Sequence, residues 1–269
     1  MQALADYFAE IPSAHRTLIL VGGLTLFWVL ESAVPLLTAE YHRWKHAGIN
    51  LFFTLTTIVV NFAMAFVLVR GSDWAVAADF GVLQWLDLPI WGTAIVGLLL
   101  LDLIGAYFAH WIQHRVPVLW RFHLIHHTDQ NVDTTTANRH HPGESFIRFA
   151  MTTVGTVLLG APMWLVFLYQ SLSALTSQFN HANIRLPRWL DRGLRTLIVT
   201  PAMHRVHHHF ELPLTDTNFG NIFSVWDRLF GTYAVADNRT LRYGVDTHME
   251  TADHQNIRRM LRIPFEGKK

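Results

Sequence analysis

Thr17 to Leu37 is a run of 21 residues, TLILVGGLTLFWVLESAVPLL, with Glu31 as its single charge. A helix of that length spans a hydrocarbon core ~30 Å thick, whose interior offers the backbone no hydrogen-bond partners. Two further stretches have the same character: Asn50 to Val69 and Leu88 to Trp111. A fourth apolar block, Ser145 to Phe179, is too long for one untilted helix. GAP at Gly160 to Pro162 interrupts it where proline breaks or kinks a helix, so it reads as a helical hairpin or kinked pair. The expected fold class is an all-α integral membrane bundle of about four spans with a cytosolic histidine-rich helical cap. A cleaved signal peptide is the alternative for the first block, but the stretch is too long and no small-residue cleavage site follows.

Composition agrees. Hydrophobic residues make up 51% of the 269, charged residues only 15%, and mean hydropathy is +0.23. That balance is unusual for a soluble globule. A net charge of +1 gives no polyanion footprint, which argues against nucleic acid. With no cysteine the chain has no disulfide and no thiolate-held metal, so any bound metal sits on His, Asp or Glu. No repeat or linker divides the chain, and one domain over 1–269 is the simplest organisation.

Arg43 and Lys45 lie between the first two spans, whereas Arg70 after the second is outweighed by Asp73, Asp79 and Asp87. The positive-inside rule then puts the first of these loops in the cytoplasm and, threading forward, His110 and everything after Arg185 there too. RLPRWLDRGLRTLIV places Leu186, Trp189, Leu190, Leu194 and Leu197 on one stripe and Arg188, Arg192 and Arg195 on another, the pattern of an interfacial helix. A surface helix of the cap is the alternative. Phe223, Trp226, Leu229 and Phe230 recur at helical spacing before Gly231, which reads as core packing of the cap, with a substrate-channel lining as the alternative.

Twelve of the seventeen histidines fall in or near three boxes on that one side. HWIQH puts His110 and His114 at i and i+4 on one helix face. HLIHH supplies His123, His126 and His127, and HRVHH supplies His204, His207 and His208, each box reading as three imidazoles on one side of a helix. Neutral imidazole is a ligand for iron, zinc and copper. More than four ligands exceeds one tetrahedral zinc, so two metals are implied. No H-E-x-x-H occurs, since HWIQH has no glutamate beside its first histidine, so a zinc protease reading lacks its base.

Between Asp102 and Tyr233 the chain resembles the fatty acid hydroxylase and sterol desaturase superfamily, through the three boxes in order and through WRFHLIHHTD, TTTANRHHPGE, FNHANI, TPAMHRVHH and TDTNFGNIFSVWDRLFGTY. The resemblance implies a membrane-bound non-haem diiron enzyme holding two iron ions, with O2 as oxidant and a lipid as substrate for hydroxylation or desaturation. It implies nine ligands: His110, His114, His123, His126, His127, His181, His204, His207 and His208. His141 occupies a family histidine position with a possible supporting role, and His140 and His209 are extra neighbours. WDRLFGT is similar to the alkylglycerol monooxygenase branch, which uses a pterin, without establishing one here. No dinucleotide fingerprint is visible, so an external electron donor such as a reductase, ferredoxin or cytochrome-type carrier is expected. Arginine greatly outnumbers lysine, in keeping with a bacterial inner-membrane protein.

Asp102 stands in an apolar span eight residues before His110, where an ionisable group marks a functional site by default. It is expected to orient a ligand imidazole, with pairing to a basic residue or a tyrosine such as Tyr107 as the alternative. Glu144 is expected either to support a ligand or to begin the next helix. His15, His42, His46, His248 and His254 lack partners at ligand spacing and read as solvated or capping residues. The competing functional classes are a zinc-dependent membrane lipid hydrolase and a metal-binding transporter. The lipid itself is not legible. Cysteines introduced at Lys45 and Arg192 are expected to react with an impermeant maleimide only from the cytoplasmic side, and one at Asp79 only from the opposite side; reversed labelling would overturn the orientation.

Overall fold

The computed structural model describes residues 1–38 and 41–266, and among these it is helical, with isolated bridges as its only β pairing. In chain order the helices that frame the molecule are α1 (Gln2–Ala9), α2 (Ser13–Ala33), α3 (Arg43–Ala77), α4 (Val82–Trp85) and α5 (Ile90–Asp102). A π-helical turn over Leu103–Phe108 joins α5 to α6 (Ala109–Arg115), and α7 (Pro117–His127), α8 (Pro142–Leu159) and α9 (Met163–His181) follow. Short helices complete the other end: α10 (Arg188–Leu194), α11 (Pro201–His207) and α12 (Val225–Leu229).

Three helical segments among the described residues are long and apolar enough to cross a membrane: Ser13–Ala33, Arg43–Trp85 and Ile90–Arg115. Much of their apolar surface has no protein covering it; Phe62 is 84% exposed and Phe66 71%. Exposed apolar surface of that extent suits lipid. The fourth apolar block is two helices: α8 ends at Gly160, whose φ of +63° is left-handed, and Pro162 precedes α9. Neither half is among the three candidate spans. α3 packs along α8, and α9 against α1, α2 and α5, with Leu68, Leu101, Phe149, Leu159 and Leu165 in the shared core.

Two expected helices differ. Only Arg188–Leu194 of the Arg-rich stretch is helical, because Val199 donates to Ile222 O and Ser224 donates to Leu197 O, drawing the chain into an extended pairing beyond it. Trp189 nonetheless stays exposed, as an interfacial residue requires. In the WDRLF stretch Trp226 is buried while Leu229 is exposed, so only part of that stripe is core. Gly231 does end it, in the left-handed region.

The α8–α9 corner depends on glycine. A Cβ at Gly160 would strike the backbone carbonyl of Phe80 in addition to requiring a left-handed L-residue, which alone costs ~1–2 kcal/mol. Gly160→Ala is expected to lower the midpoint of thermal unfolding in detergent clearly, whereas Gly48→Ala, in an open position within α3, is expected to be neutral or slightly stabilising.

Candidate metal centre

Two groups of imidazoles lie at the end of the bundle formed by α6, α7, α11 and the last turn of α9. His110, His114, His123, His127 and His207 make one, and His126, His181, His204 and His208 the other; in each, the candidate ligand atoms all lie within 4.8 Å of one another. These nine are the residues that the family resemblance singles out, and the structure brings all of them together. The boxes do not, however, keep three imidazoles on one side of a helix. His123 and His127 enter the first group and His126 the second; His204 and His208 enter the second and His207 the first. Consecutive helical positions are about 100° apart, so an i, i+4 pair shares a face while the residue between points to the neighbouring group. Each H-x-x-H-H box thereby ties the two groups together.

The ring nitrogens are oriented by acceptors. Nδ1 of His110 donates to Phe219 O at 2.9 Å, that of His207 to Thr217 O at 2.7 Å and that of His181 to Ser177 O at 2.7 Å. Nδ1 of His123 donates to Glu144 Oε1 at 2.7 Å and that of His114 to Asp216 Oδ1 at 3.1 Å. A carbonyl or carboxylate oxygen accepts only, so in each neutral ring Nε2 carries a lone pair. The lone pairs of His110 and His123 face each other, with Nε2 to Nε2 at 3.0 Å, and in the other group His181 Nε2 is 3.1 Å from His126 Nε2 and 3.2 Å from His204 Nε2, two rings whose Nδ1 has no hydrogen-bond partner. Nε2 of His114 and of His207 and both ring nitrogens of His208 are buried without a hydrogen-bond partner.

Protonation does not resolve this arrangement. Burial, reinforced by the neighbouring imidazoles, holds His123, His126 and His127 of α7, and His204 and His208, well below the usual histidine range. His207 is lowered to about 3, again chiefly by burial. Neutral imidazoles whose nitrogens converge in this way fit a cation in each group, and the neutral ring is the form metal binding requires.

The two expected carboxylates have different positions. Glu144 touches a candidate ligand directly, through His123. Asp102 does not. It accepts from Ile222 N at 3.2 Å, Phe223 N at 3.1 Å and Trp226 Nε1 at 3.1 Å, and no ligand imidazole touches it. The π-helical turn between Asp102 and His110 is the physical reason: it breaks the α-helical register on which their common stripe depends. Asp227 likewise accepts from Phe219 N and Gly220 N. The two aspartates therefore anchor the loop whose carbonyls orient His110 and His207.

His141 is also displaced from its expected role. Its Nδ1 caps α8 by accepting from Gly143 N and its Nε2 faces Leu261 O, away from both groups. His140, set aside in the sequence reading, is nearer: its ring centroid is 5.2 Å from that of His126 and its Nε2 is 3.6 Å from Glu144 Oε1. His46 is buried rather than solvated, with Nε2 at 2.8 Å from Asp129 and Nδ1 at 3.1 Å from Asp133. Asp216, Asp227 and the orienting carbonyls were missed. The segment TDTNFGNIFSVWDRLFGTY carried the signal as two aspartates flanking a short turn, but nothing in its spacing says which imidazole each serves.

Residues 94–232, just over half of the chain, match the family described as Fatty acid hydroxylase. The chain belongs to the fatty acid hydroxylase family. It is 28% identical over 176 residues to ornithine lipid hydroxylase OlsE of Rhizobium tropici, covering 65% of this chain and 51% of that protein. It is 29% identical over 167 residues to alkylglycerol monooxygenase of Danio rerio, covering 62% and 35%. It is 30% identical over 144 residues to cholesterol 25-hydroxylase-like protein 1, member 2, of Danio rerio, covering 52% and 50%. The chain thus spans about half or less of the length of these family relatives. No solved structure matches. All nine clustered histidines lie inside the family match.

Loss of an outer carboxylate typically costs ~10 to 100-fold in metal affinity or activity. Asp216→Asn is expected to weaken metal retention by the His114 group to that extent, measured as metal remaining after graded chelator competition. Unchanged retention would show that Asp216 does not orient His114.

Proposed function

We propose that the chain is a membrane-bound diiron oxygenase that hydroxylates a lipid, using O2 and electrons from an external donor. The observation that carries this reading is the pair of adjacent all-imidazole groups, five and four strong, whose neutral rings converge. Membership of a family whose named relatives act as lipid hydroxylases and a monooxygenase supports it, and favours hydroxylation over desaturation.

When bound, a pair of irons supplies the redox chemistry by which one oxygen atom of O2 enters a C–H bond while the other, with two electrons and two protons, leaves as water. The chain's own residues do the rest. His110, His114, His123, His127 and His207 would hold one ion, and His126, His181, His204 and His208 the other. Glu144 and Asp216 keep His123 and His114 in the tautomer that presents Nε2. Asp102 and Asp227 hold the Phe219 loop, and Phe219 itself, fully buried against His110, His114 and His207, shuts water from that side. Such a dry, preorganised shell is the protein's share of the catalysis. We place the whole of 1–269 in one unit, in a bacterial inner membrane with the histidines on the cytoplasmic side.

A zinc site takes at most four ligands, whereas one group alone offers five imidazoles and the two together nine. A transporter needs ligands strung along a path, whereas these form two closed, adjacent groups. The test compares lipid extracts from cells with and without the gene under 18O2. A lipid gaining 18O only with the gene is expected. His207→Ala and His126→Ala, one from each group, are each expected to abolish that product and to reduce bound iron. Product formation without O2, or full activity in both variants, would defeat the reading.

A further inference from the structure

The two imidazole groups share a small cavity. His110 and His123 line it from one group and His126 and His181 from the other, together with Arg148 of α8 and Ser177 of α9. Its volume, about 20 Å³, is little more than the ~10–15 Å³ that one water requires. It has room for about one water-sized group, such as a single oxygen of a substrate's headgroup, and not for a lipid chain. Arg148 is the one permanently cationic side chain that lines it.

A guanidinium here is physically out of place unless an anion joins it. Among the described residues Arg148 has neither a side-chain hydrogen bond nor an ion pair in its half-buried position, although it presents five donors. The nearest carboxylate along its helix is Glu144, one turn earlier; its Oε1 is taken by His123 Nδ1 at 2.7 Å, and its Oε2 is buried without a hydrogen-bond partner yet makes no ion pair with Arg148. Asp102 and Asp227 are occupied by backbone amides, and Asp216 by His114 and Arg115. Nine neutral imidazoles bring no negative charge. Two divalent ions in the groups would therefore repel Arg148, and the local carboxylates fall short of balancing them. A cation drawn partly out of water with no partner carries a cost, and an anion beside it offsets that cost.

We propose that Arg148 recognises an oxyanion on the substrate, a carboxylate or a phosphate, and so restricts the enzyme to lipids bearing such a group. The planar fork of arginine matches two oxygens of either group, which lysine's point charge does not. Ser177, whose carbonyl fixes His181, adds a hydroxyl to the same lining. The inference rests on the oxygenase reading for the word substrate, but its test needs no turnover.

The probe is a twelve-carbon carboxylate with a diazirine in its chain, photolysed without O2 on the full-length detergent-purified protein, the label being read on α8 and α9 peptides. Dodecanoate, dodecyl phosphate and dodecanol compete. In the wild-type protein at least one of the two anions is expected to compete tenfold or more better than dodecanol, and whichever is stronger identifies the headgroup oxygen. Arg148→Gln is expected to erase that preference at unchanged metal content, and Arg148→Lys to keep part of it. Equal competition by dodecanol in the wild type, or a preference that survives in Arg148→Gln, would overturn the proposal. If Arg148→Gln does not fold, the wild-type preference and its weakening in Arg148→Lys decide the matter. An intact preference with no oxygenated lipid in cells would instead count against the oxygenase reading alone.

Discussion

Neutral imidazoles whose nitrogens face one another at 3.0 to 3.2 Å, with lone pairs opposed in the His110–His123 pair, are the constraint on which the rest of this structure depends. Each ring is denied its usual escape. Several cannot rotate, because Nδ1 is tied to a carbonyl or carboxylate, and burial opposes protonation. Lone pairs held in that way repel, and a buried nitrogen with no partner carries a desolvation cost of ~1–3 kcal/mol. A cation in each group converts both penalties into ligand bonds.

The surrounding fold serves to keep the rings there. The π-helical turn below α6 sets the angle at which His110 and His114 leave the span, and turns Asp102 toward the 222–226 segment instead. Arg139, fully buried, donates to the Ile125 carbonyl in α7 and to Asn50 of α3, fixing the helix that carries His123, His126 and His127 to a membrane span. Gln178, also buried, donates to Leu20 O and joins the last turns of α9, which end in His181, to α2. The ligand positions are thus referred to long helices whose remaining surfaces are apolar, so membrane embedding and site geometry are parts of one scaffold.

How much of this was legible follows from the range of each signal. Apolar runs are local, and they marked three long helices and the break at Gly160. Histidine spacing is local too, and with the family likeness it singled out the nine that cluster. The division of each box between two groups was misread, although the helical repeat contains it: His126 and His127 are adjacent in sequence and so point different ways. Contacts made across the chain were illegible. Asp102 looked like a partner of His110 because spacing assumes an unbroken α-helix, and His46 looked solvated because Asp129 and Asp133 lie more than eighty residues away. Asp216 supports His114 over a comparable distance.

The claim at the centre is that both imidazole groups hold metal. Elemental analysis of the full-length protein purified from iron-replete cells, combined with X-ray absorption at the iron edge, tests it most directly. The account predicts two irons per chain in a shell dominated by imidazole nitrogen. A single metal per chain, retained with its spectrum unchanged when His207 and His126 are each replaced by alanine, would contradict it.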